Sequence, residues 1–430
     1  MINNYIKPYK IFCDLRRNLS LNTRELEAIQ EKKLRILLNH AYQNVPFYQR
    51  LFDSAGVKPE DIKDSEDLYK IPTIKKSQIK NNKKDMIARN INLSSCIEYK
   101  TTGSTGNILT GFLSRDDVLN NRGSYERIRN ENGFRMFRDT LLIIGNPYSI
   151  PNSNNKKYYE YFGIRRREGL NVFEPLDVQI QVLIKVKPDA LWGYPSTIKL
   201  LAEVIKEKEI KGISPRLIFT ASEVLDSETR NFINSVFNVE LFDIYGALET
   251  GCMAWECSEH AGYHVTMDTA LIEFIDENSN KVNAGERGRV VVTNLHSFAM
   301  PIIRYEIGDY AIPIYEECTC GKGGYLIKGI EGRYDDFLRL RGNKLISPRI
   351  LVPIIESISG ISEFQIIQEK EEEIVVYVIK MDECRETLIV EEIDRGFKKV
   401  LGDNIFVNTK FVKSIPRAPS GKLRSVISLI

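Results

Sequence analysis

The opening of the chain carries apolar side chains at helical spacing. They are Leu26, Ile29, Leu34, Leu37, Leu38 and Ala41. A period near 3.6 residues puts such side chains on one face of an α-helix. Asn22 or Thr23 suits the N-cap of this helix, and Pro46 is a signal for its end.

From about residue 95, apolar runs typical of strands alternate with helical stretches. The runs are TLLIIG, RLIFTA and VELFDIYG, and one helical stretch between them is PSTIKLLAEVIKEKEI. This alternation predicts an α/β fold in layers. Around residues 270–315, the segments ALIEFID and RGRVVVTNL predict antiparallel strands of an appended sheet.

The pattern changes near residue 330, where GIEGRYDDFLRLRGNKLISP is rich in glycine and charge. Ser347 followed by Pro348 predicts the start of a helix. A helix, a strand, a second helix and a polar tail follow. We therefore predict a large, multi-layer α/β domain with an appended antiparallel sheet over residues 1–334. A small α+β domain is predicted over residues 335–430.

Composition and charge are those of a globular chain of 430 residues, long enough for two or three domains. Its 60 basic and 58 acidic side chains leave a net charge of +2. This balance gives no electrostatic case for nucleic acid or an anionic membrane as a partner. The basic run RRR at residues 165–167 is interpreted as solvated surface.

Localisation and redox state follow from two further patterns. No apolar run approaches the ~20 residues of a membrane span, and the N-terminus lacks the apolar region of a signal peptide. These patterns predict a cytoplasmic location. The seven cysteines are scattered and odd in number, which argues against a disulfide framework.

The stretch TTGSTGN at residues 101–107 has the composition of a phosphate-binding loop. Its glycines would let backbone N–H groups converge on an anion, and its hydroxyls would add donors. It has neither the Walker spacing nor the Rossmann spacing of glycines. Alone, the stretch leaves a phosphate loop and a plain turn equally open.

Four later segments accompany this loop. They are FDIYGALETG (242–251), PIIRYEIGD (301–309), GRYDDFLRLRG (332–342) and PRAPSGKLRS (416–425). In this order, the five segments resemble the motifs of the adenylate-forming superfamily: acyl-CoA synthetases, aryl-acid ligases and adenylation domains. NVPFYQRLF, KIPTIKKSQI and LWGYPSTIKLLAE are similar to the phenylacetate–CoA ligase branch and its capsule-biosynthesis-type relatives. The resemblance covers most of the chain.

The resemblance implies an ATP site. The loop over the ATP phosphates would comprise Thr101, Thr102, Gly103, Ser104, Thr105 and Gly106, with Thr102 among the catalytic residues. Ser222 and Glu223 would lie near the adenine, Tyr245 would stack against its ring, and Gly246 would belong to the same nucleotide-binding site. Glu249 would bind Mg²⁺.

The resemblance also implies a moving second domain. Asp309 would bind the ribose hydroxyls, with Arg333 close to the same sugar. Asp335 would be the hinge, about which the small, mobile domain rotates after adenylation. Lys422 would reach the reacting carboxylate and the α-phosphate, and it would leave when the face around residues 341–342 approaches.

The chemistry suits these assignments. A carboxylate is a poor electrophile, and adenylation gives it a good leaving group. The transition state gathers negative charge at phosphorus, which a lysine and a hard divalent cation stabilise. A lysine on a mobile domain can complete the site and later depart.

The sequence departs from the family pattern at three places, one of which is a glutamate that is often found after the last hinge-side motif and is not matched near Pro348. Asn107 and Ile108 stand where Lys-Pro often follows the phosphate loop. Leu248 stands where a hydroxyl residue normally helps to hold the α-phosphate. This change puts one phosphate contact in doubt, and a backbone donor or a loop hydroxyl could substitute.

Cysteines and histidines near residues 257–320 could hold zinc. The segments CSEHAGYH and CTC offer Cys257, Cys318 and Cys320 with either His260 or His264, a set that suits a tetrahedral structural Zn²⁺. Similar sets in the phenylacetate-ligase branch favour His264. Free thiols near a core are the alternative, and a bound zinc would stabilise structure rather than catalyse.

We expect an ATP- and Mg²⁺-dependent acid ligase that makes an acyl-adenylate and pyrophosphate. Its acceptor would be coenzyme A, the pantetheine of a carrier protein or, in a second hypothesis, an amine. A non-catalytic nucleotide-binding or scaffold protein is the third hypothesis. Trp192, Tyr194 and Pro195 are candidates for the pocket of a small carboxylic acid, and aromatic walls would favour an aryl acid.

Overall fold

The computed structural model describes residues 3–101, 109–147, 150–151, 166–333, 336–341, 344–381, 384–402, 404–419 and 421–430. Within these ranges the chain forms ten α-helices and nineteen strands. The helices are α1 (Asn3–Asn18), α2 (Thr23–Asn44), α3 (Pro46–Ser54), α4 (Lys76–Asn81), α5 (Arg115–Glu131), α6 (Leu176–Val186), α7 (Pro195–Glu207), α8 (Ser227–Phe237), α9 (Pro348–Glu356) and α10 (Glu386–Leu401). Short 3₁₀ helices span Pro59–Asp61, Ser65–Lys70 and Leu93–Ser95.

The N-terminal helices begin and end where the sequence predicts. Asn22 caps α2 in a reciprocal capping box with Glu25. Helix α2 ends at Asn44, and Pro46 then occupies the first turn of α3, where its missing N–H costs nothing. The apolar face of α2 is buried against the antiparallel half of the main sheet. Gln30 on that helix donates to the carbonyls of Met267 and Ala270, both at 3.0 Å.

One sheet of eleven strands forms the centre of the large part, and its order is β10-β11-β12-β13-β9-β8-β7-β6-β5-β3-β4. Strands β3 to β7 are parallel, and the others pair antiparallel. The bounds are β3 (Leu141–Gly145), β4 (Arg167–Asn171), β5 (Ala190–Gly193), β6 (Leu217–Ala221), β7 (Leu241–Ala247), β8 (Gly251–Glu256), β9 (Tyr263–Val265), β10 (Ala270–Ile275), β11 (Gly288–Asn294), β12 (Tyr305–Ile314) and β13 (Leu326–Arg333).

The predicted α/β fold class is confirmed. The appended antiparallel strands are present, since Ala270 pairs with Asn294 in the β10–β11 register. They extend the edge of the parallel sheet instead of standing apart from it. This continuity places the end of β7 two strands from β9 and four strands from β12.

A smaller unit follows the large sheet. Strands β16 (Ile361–Lys370), β17 (Glu373–Lys380), β18 (Phe406–Phe411) and β19 (Val426–Ser428) form a sheet in the order β18-β17-β16-β19. Strands β14 (Leu338–Leu340) and β15 (Lys344–Ile346) form a separate pair. Helices α9 and α10 pack with these strands around a core of their own. The sequence predicts a polar tail where β18 and β19 lie; both strands are short, and polar residues surround them in the sequence.

A hairpin frames the glycine- and hydroxyl-rich loop. Its strands are β1 (Ile97–Lys100) and β2 (Thr110–Leu113), with Lys100 paired to Thr110. Residues 102–106 of the loop and the hinge residue Asp335 lie outside the described residues, so their roles stay predictions. The division of domains at residues 334 and 335 also stays a prediction.

The interpretation of the basic run as solvated surface is wrong for Arg167. This residue begins β4 and forms an ion pair with Glu126, whose side chain is 3% exposed. Pairing of β4 with β3 draws Arg167 against α5, where a buried carboxylate needs a cation. Arg166 is exposed, as expected. No helix of the described residues is long and apolar enough to cross a membrane.

Candidate active site

Asp309 and Arg333 are brought together by strand pairing. They face each other in the β12–β13 register, and Arg333 Nε lies 3.8 Å from Asp309 Oδ1. The Tyr245 hydroxyl, near the end of β7, donates to Asp309 Oδ2 at 2.7 Å. Burial raises the pKa of Asp309, whereas Arg333, Tyr245 and Lys422 act in the opposite direction. The three motifs therefore meet in one place.

Glu249 lies directly after β7 and is buried. Burial raises the pKa of its carboxyl, and the charges of Lys76 and Arg333 oppose that rise. The Tyr305 hydroxyl is 3.4 Å from Glu249 Oε1. Lys76 and Tyr305 were not identified from the sequence. The KIPTIKKSQI segment that contains Lys76 was the available signal, although two lysines there could not be told apart.

Lys422 enters the same region from the small unit. Its Nζ lies 5.9 Å from the centre of the Tyr194 ring. Burial lowers the pKa of Lys422, and the carboxylates of Glu223, Asp309 and Glu249 raise it. We call Tyr245, Glu249, Asp309, Arg333 and Lys422 the polar cluster.

Glu223 holds the loop that carries Lys422. Its two carboxylate oxygens accept from the backbone N–H of Ser196 at 3.1 Å and of Leu423 at 2.8 Å. A second contact joins the same parts, since Asn146 Nδ2 donates to the carbonyl of Pro419 at 2.7 Å. Glu223 is thus engaged beside Lys422, and its adenine-side role stays a prediction.

Arg417 adds a third contact between the two parts. It forms an ion pair with Glu363 at 2.7 Å and donates to Ser196 Oγ at 3.1 Å. Arg424 pairs with Asp336 near the predicted hinge. These contacts fix the loop on both sides of Lys422.

Three other predicted residues have distinct surroundings. Thr101 closes the base of its loop, because its hydroxyl accepts from the Leu109 N–H at 3.0 Å. Ser222 follows β6 with a φ of 77°, a left-handed conformation that is uncommon for a residue with a side chain. Leu248 is 54% exposed, and the loss of one α-phosphate contact at this position stays a prediction.

A second cluster lies further along the sheet. The donor atoms of Cys257, His264, Cys318 and Cys320 all lie within 4.8 Å of one another, and we call these four residues the Cys/His cluster. Burial, reinforced by the charge of Lys322, lowers the pKa of His264 to about 4. Its imidazole is therefore neutral, which is the form that binds metals.

His260 lies outside this cluster. Its ring stacks on Phe242 at 5.3 Å, and its nitrogens lie 3.4 Å from Glu240 and 3.6 Å from Glu256. The hydrogen bond with Glu256 raises the pKa of His260. Of the two candidate histidines, the fold brings His264 to the thiols.

Comparisons with known proteins agree with this layout. Residues 338–429 match the family model of the CapK C-terminal domain. A phenylacetate–coenzyme A ligase of Thermus thermophilus is 26% identical over 95% of this chain and 98% of its own length. Protein CapK of Staphylococcus aureus is 23% identical over 100% of this chain and 94% of its own. This chain is a homologue of the phenylacetate–CoA ligases and CapK.

A solved structure supports the same fold. The crystal structure of 2-hydroxyisobutyryl-CoA ligase in the postadenylation state covers 96% of this chain and 91% of its own. Its identity is 22% and its TM-score is 0.80. The fold is that of the adenylate-forming ligases, as the sequence predicts.

Proposed function

We propose that this protein is an ATP-dependent acid ligase. It joins a small carboxylic acid to AMP, releases pyrophosphate and transfers the acyl group to the thiol of coenzyme A. The observation that supports this best is the approach of Lys422, from the small unit, to Asp309, Glu249 and Arg333 of the large sheet. A protein that only binds a nucleotide has little need of a buried ammonium there.

Each residue of the site would have its own role in the reaction. Asp309 offers acceptors for the ribose hydroxyls, and Arg333 opposes the rise that burial causes in the pKa of this carboxyl. Lys422 stabilises negative charge on the α-phosphate as the substrate carboxylate attacks. Thr101 supports the base of the phosphate loop. Rotation about Asp335 would then withdraw Lys422 and admit the thiol.

Two metal sites fit the donor atoms. Glu249 presents a hard carboxylate oxygen, which suits Mg²⁺, and that ion would supply charge stabilisation to the phosphates when bound. The Cys/His cluster offers three thiols and a neutral imidazole within 4.8 Å. This soft, closed set suits a structural Zn²⁺.

Two similar proteins indicate which molecule accepts the acyl group. The similar Thermus thermophilus protein is a phenylacetate–coenzyme A ligase and the structural neighbour is a 2-hydroxyisobutyryl-CoA ligase, and we propose coenzyme A as the acceptor for this chain. A carrier-protein pantetheine or an amine remains an alternative outcome. We propose that the protein acts in the cytoplasm, where ATP and coenzyme A are available.

The test is a panel of carboxylic acids with ATP and Mg²⁺. Pyrophosphate release is measured without an acceptor, and AMP and acyl product are measured with coenzyme A, with pantetheine or with hydroxylamine. We expect pyrophosphate release with a few small acids and turnover stimulated by coenzyme A. Hydroxamate formed from hydroxylamine reports the acyl-adenylate whatever the natural acceptor is. Adenylation that neither coenzyme A nor pantetheine stimulates would therefore argue against a thiol acceptor and favour the amide-forming ligase as the next hypothesis. ATP binding without pyrophosphate release from any acid would favour the scaffold.

A further inference from the structure

The carboxylate of Glu223 connects a helix end in the large part to the loop that carries Lys422. One of its oxygens accepts from the N–H of Ser196 at 3.1 Å, and the other accepts from the N–H of Leu423 at 2.8 Å. Ser196 is the second residue of α7, where a backbone N–H has no acceptor within the helix and a negative charge is favoured. Glu223 therefore bonds to a fixed helix end on one side and to the residue next to Lys422 on the other.

The loop around Lys422 is a compact turn that is closed by its own hydrogen bonds. The N–H of Ala418 donates to the carbonyl of Lys422 at 3.0 Å, and the N–H of Gly421 donates to the carbonyl of Ala418 at 2.7 Å. A Cβ atom added to Gly421 would collide with the side chain of Val172, directly after β4, so the turn lies tightly against the large part. Because the turn is tied to itself, a bond to Leu423 also fixes the backbone of Lys422.

Arg417 holds the start of the same turn to the same helix end. Its guanidinium donates to Ser196 Oγ at 3.1 Å and pairs with Glu363 at 2.7 Å. Ser196 thus bonds to Glu223 through its N–H and to Arg417 through its hydroxyl. The two ends of the turn therefore meet α7 at one residue.

Glu223 also acts on Lys422 through its charge. Burial lowers the pKa of the Lys422 ammonium, and the carboxylate of Glu223 opposes this change, together with those of Asp309 and Glu249. A buried amine stays protonated more readily beside an ionised carboxylate. The contacts and the charge of Glu223 thus favour the same arrangement, in which Lys422 is charged and directed into the polar cluster.

We propose that Glu223 is a positioning residue that holds Lys422 in place for adenylation. Withdrawal of Lys422 would break the bond to Leu423, whereas the bond to Ser196 lies within the large part and can persist. This inference rests on the proposed ligase function and adds the residue that favours the adenylating arrangement over the one that admits the thiol. It differs from the adenine-side role that the resemblance implies, because a positioning residue changes the rate of adenylation and not the affinity for ATP.

The test compares three variants. Glu223→Gln keeps the shape of the side chain, but its amide nitrogen cannot accept, so one of the two N–H groups loses its acceptor. Glu223→Asp keeps the charge and is one methylene shorter, so it cannot reach both donors. Glu286→Gln is the matched control, because the Glu286 carboxylate also accepts from a backbone N–H, that of Asn283 at 3.1 Å, in an exposed turn between β10 and β11.

The two half-reactions are measured separately, with the acid that wild type adenylates fastest in the panel above. Pyrophosphate release in the presence of hydroxylamine gives kcat and KM for adenylation, and calorimetry gives the affinity for ATP. The chemically prepared acyl-adenylate of that acid, mixed with coenzyme A, gives the rate of thioester formation alone. Hydrogen exchange at the Leu423 amide, resolved with peptides that differ at this residue, reports the bond itself. Thermal melting checks that each variant is folded.

We expect Glu223→Gln to lower kcat for adenylation by about tenfold to a hundredfold, as for the loss of a hydrogen bond to a charged group. Its KM and affinity for ATP should be those of wild type, thioester formation should be unchanged, and the Leu423 amide should exchange faster. Glu223→Asp should change the same quantities in the same direction and by less. Glu286→Gln should match wild type throughout.

Three results would overturn the proposal. The first is an unchanged kcat in a folded Glu223→Gln, or in Glu223→Asp if the glutamine variant does not fold. The second is a loss of ATP affinity that accounts for the whole effect, which would give Glu223 the adenine-side role. The third is an equal loss in thioester formation, which would make its role structural alone. Failure of the ligase function looks different, because no acid would then release pyrophosphate, while the Leu423 amide would still exchange faster in Glu223→Gln.

Discussion

The polar cluster and the Cys/His cluster lie on the same sheet, and they differ in how they are assembled. The polar cluster takes residues from β7, β12, β13 and a loop of the small unit. The Cys/His cluster takes its residues from one neighbourhood: Cys257 after β8, His264 on β9, and two thiols between β12 and β13. Movement of one loop would remove Lys422 from the polar cluster. The Cys/His cluster would separate only if strands of the sheet moved apart.

This difference suggests that the polar cluster serves the reaction and that the Cys/His cluster serves the stability of the fold. Lys422 is held by hydrogen bonds and ion pairs that can be exchanged for water. The thiols and the imidazole would be held by a metal, which does not release its ligands on the time scale of turnover. Variants of the first cluster should therefore change rates, and variants of the second should change stability.

The largest expected effect is that of Lys422→Ala. Loss of one charged donor at the transition state should reduce adenylation by about 10²–10³-fold, or ~3–4 kcal/mol. ATP affinity by calorimetry should change little. Lys413→Ala, at an exposed position nearby, is the control and should retain the wild-type rate. An unchanged rate in Lys422→Ala would refute its assignment.

The Cys/His cluster should respond through stability. His264→Gln should lower the zinc content and reduce the free energy of unfolding by roughly 3 kcal/mol. His260→Gln is the matched control and should keep its zinc. Elemental analysis and denaturant unfolding measure the two quantities. Wild-type protein purified without near-stoichiometric zinc would leave free thiols as the better description.

Asp309→Asn should weaken the nucleotide site more modestly. The amide keeps the shape and loses the charge, so we expect KM for ATP to rise about tenfold, which corresponds to ~1.4 kcal/mol. Steady-state kinetics with varied ATP measures this change. Asp394→Asn, on α10 and paired with Lys398, is the control. A rise in KM for the acid alone would argue that Asp309 contacts the other substrate.

The smallest effect is expected from pH, at the contact between α9 and α8. Burial and Asp226, which shares a hydrogen bond with it, raise the pKa of Glu356 to about 8, with Glu228 acting in the same direction and Lys199 against it. Separation would return this carboxyl to its ordinary, lower pKa. The arrangement in which α9 contacts α8 therefore holds an extra proton. Its stability relative to the separated arrangement should fall as pH rises from about 5 to 8.

Small-angle scattering between pH 5.5 and 9 measures this loss. Wild type should expand as pH rises, and Glu356→Gln, which keeps a hydrogen-bond donor without a titrating proton, should stay compact. Glu373→Gln, in an exposed pair with Lys370, should behave like wild type. Equal expansion of all three would place the pH response elsewhere.

Local features of the fold were predictable because their causes are local. The cap at Asn22 and the break at Pro46 depend on a few neighbouring residues. The strands that lead to Tyr245 and towards Asp309 show as apolar runs. In contrast, β18 and β19 have six and three residues and pair with β17 and β16, which lie earlier in the chain, so no window of sequence identifies them.

The residues of the candidate site were predictable from sequence motifs, but the contacts between them were not. Resemblance suggested that Asp309 and Arg333 lie at the same sugar, but their direct pairing depends on the β12–β13 register, which shifts at bulges. The engagement of Glu223 with Leu423 joins residues 200 positions apart. Arg167 and Glu126 pair for the same kind of reason, since the sheet brings β4 against α5. Such contacts follow from the assembled fold alone.

The chain has two tryptophans, and one of them contacts the Cys/His cluster. Trp192, a candidate residue of the acid pocket, contacts the Tyr125 ring and the Arg129 guanidinium. Trp255 is fully buried and stacks on His264 at 5.3 Å. Replacing either one with phenylalanine leaves a single indole emitter. Intrinsic fluorescence would then follow binding of the acid and loss of metal as two separate optical signals, with no dye attached.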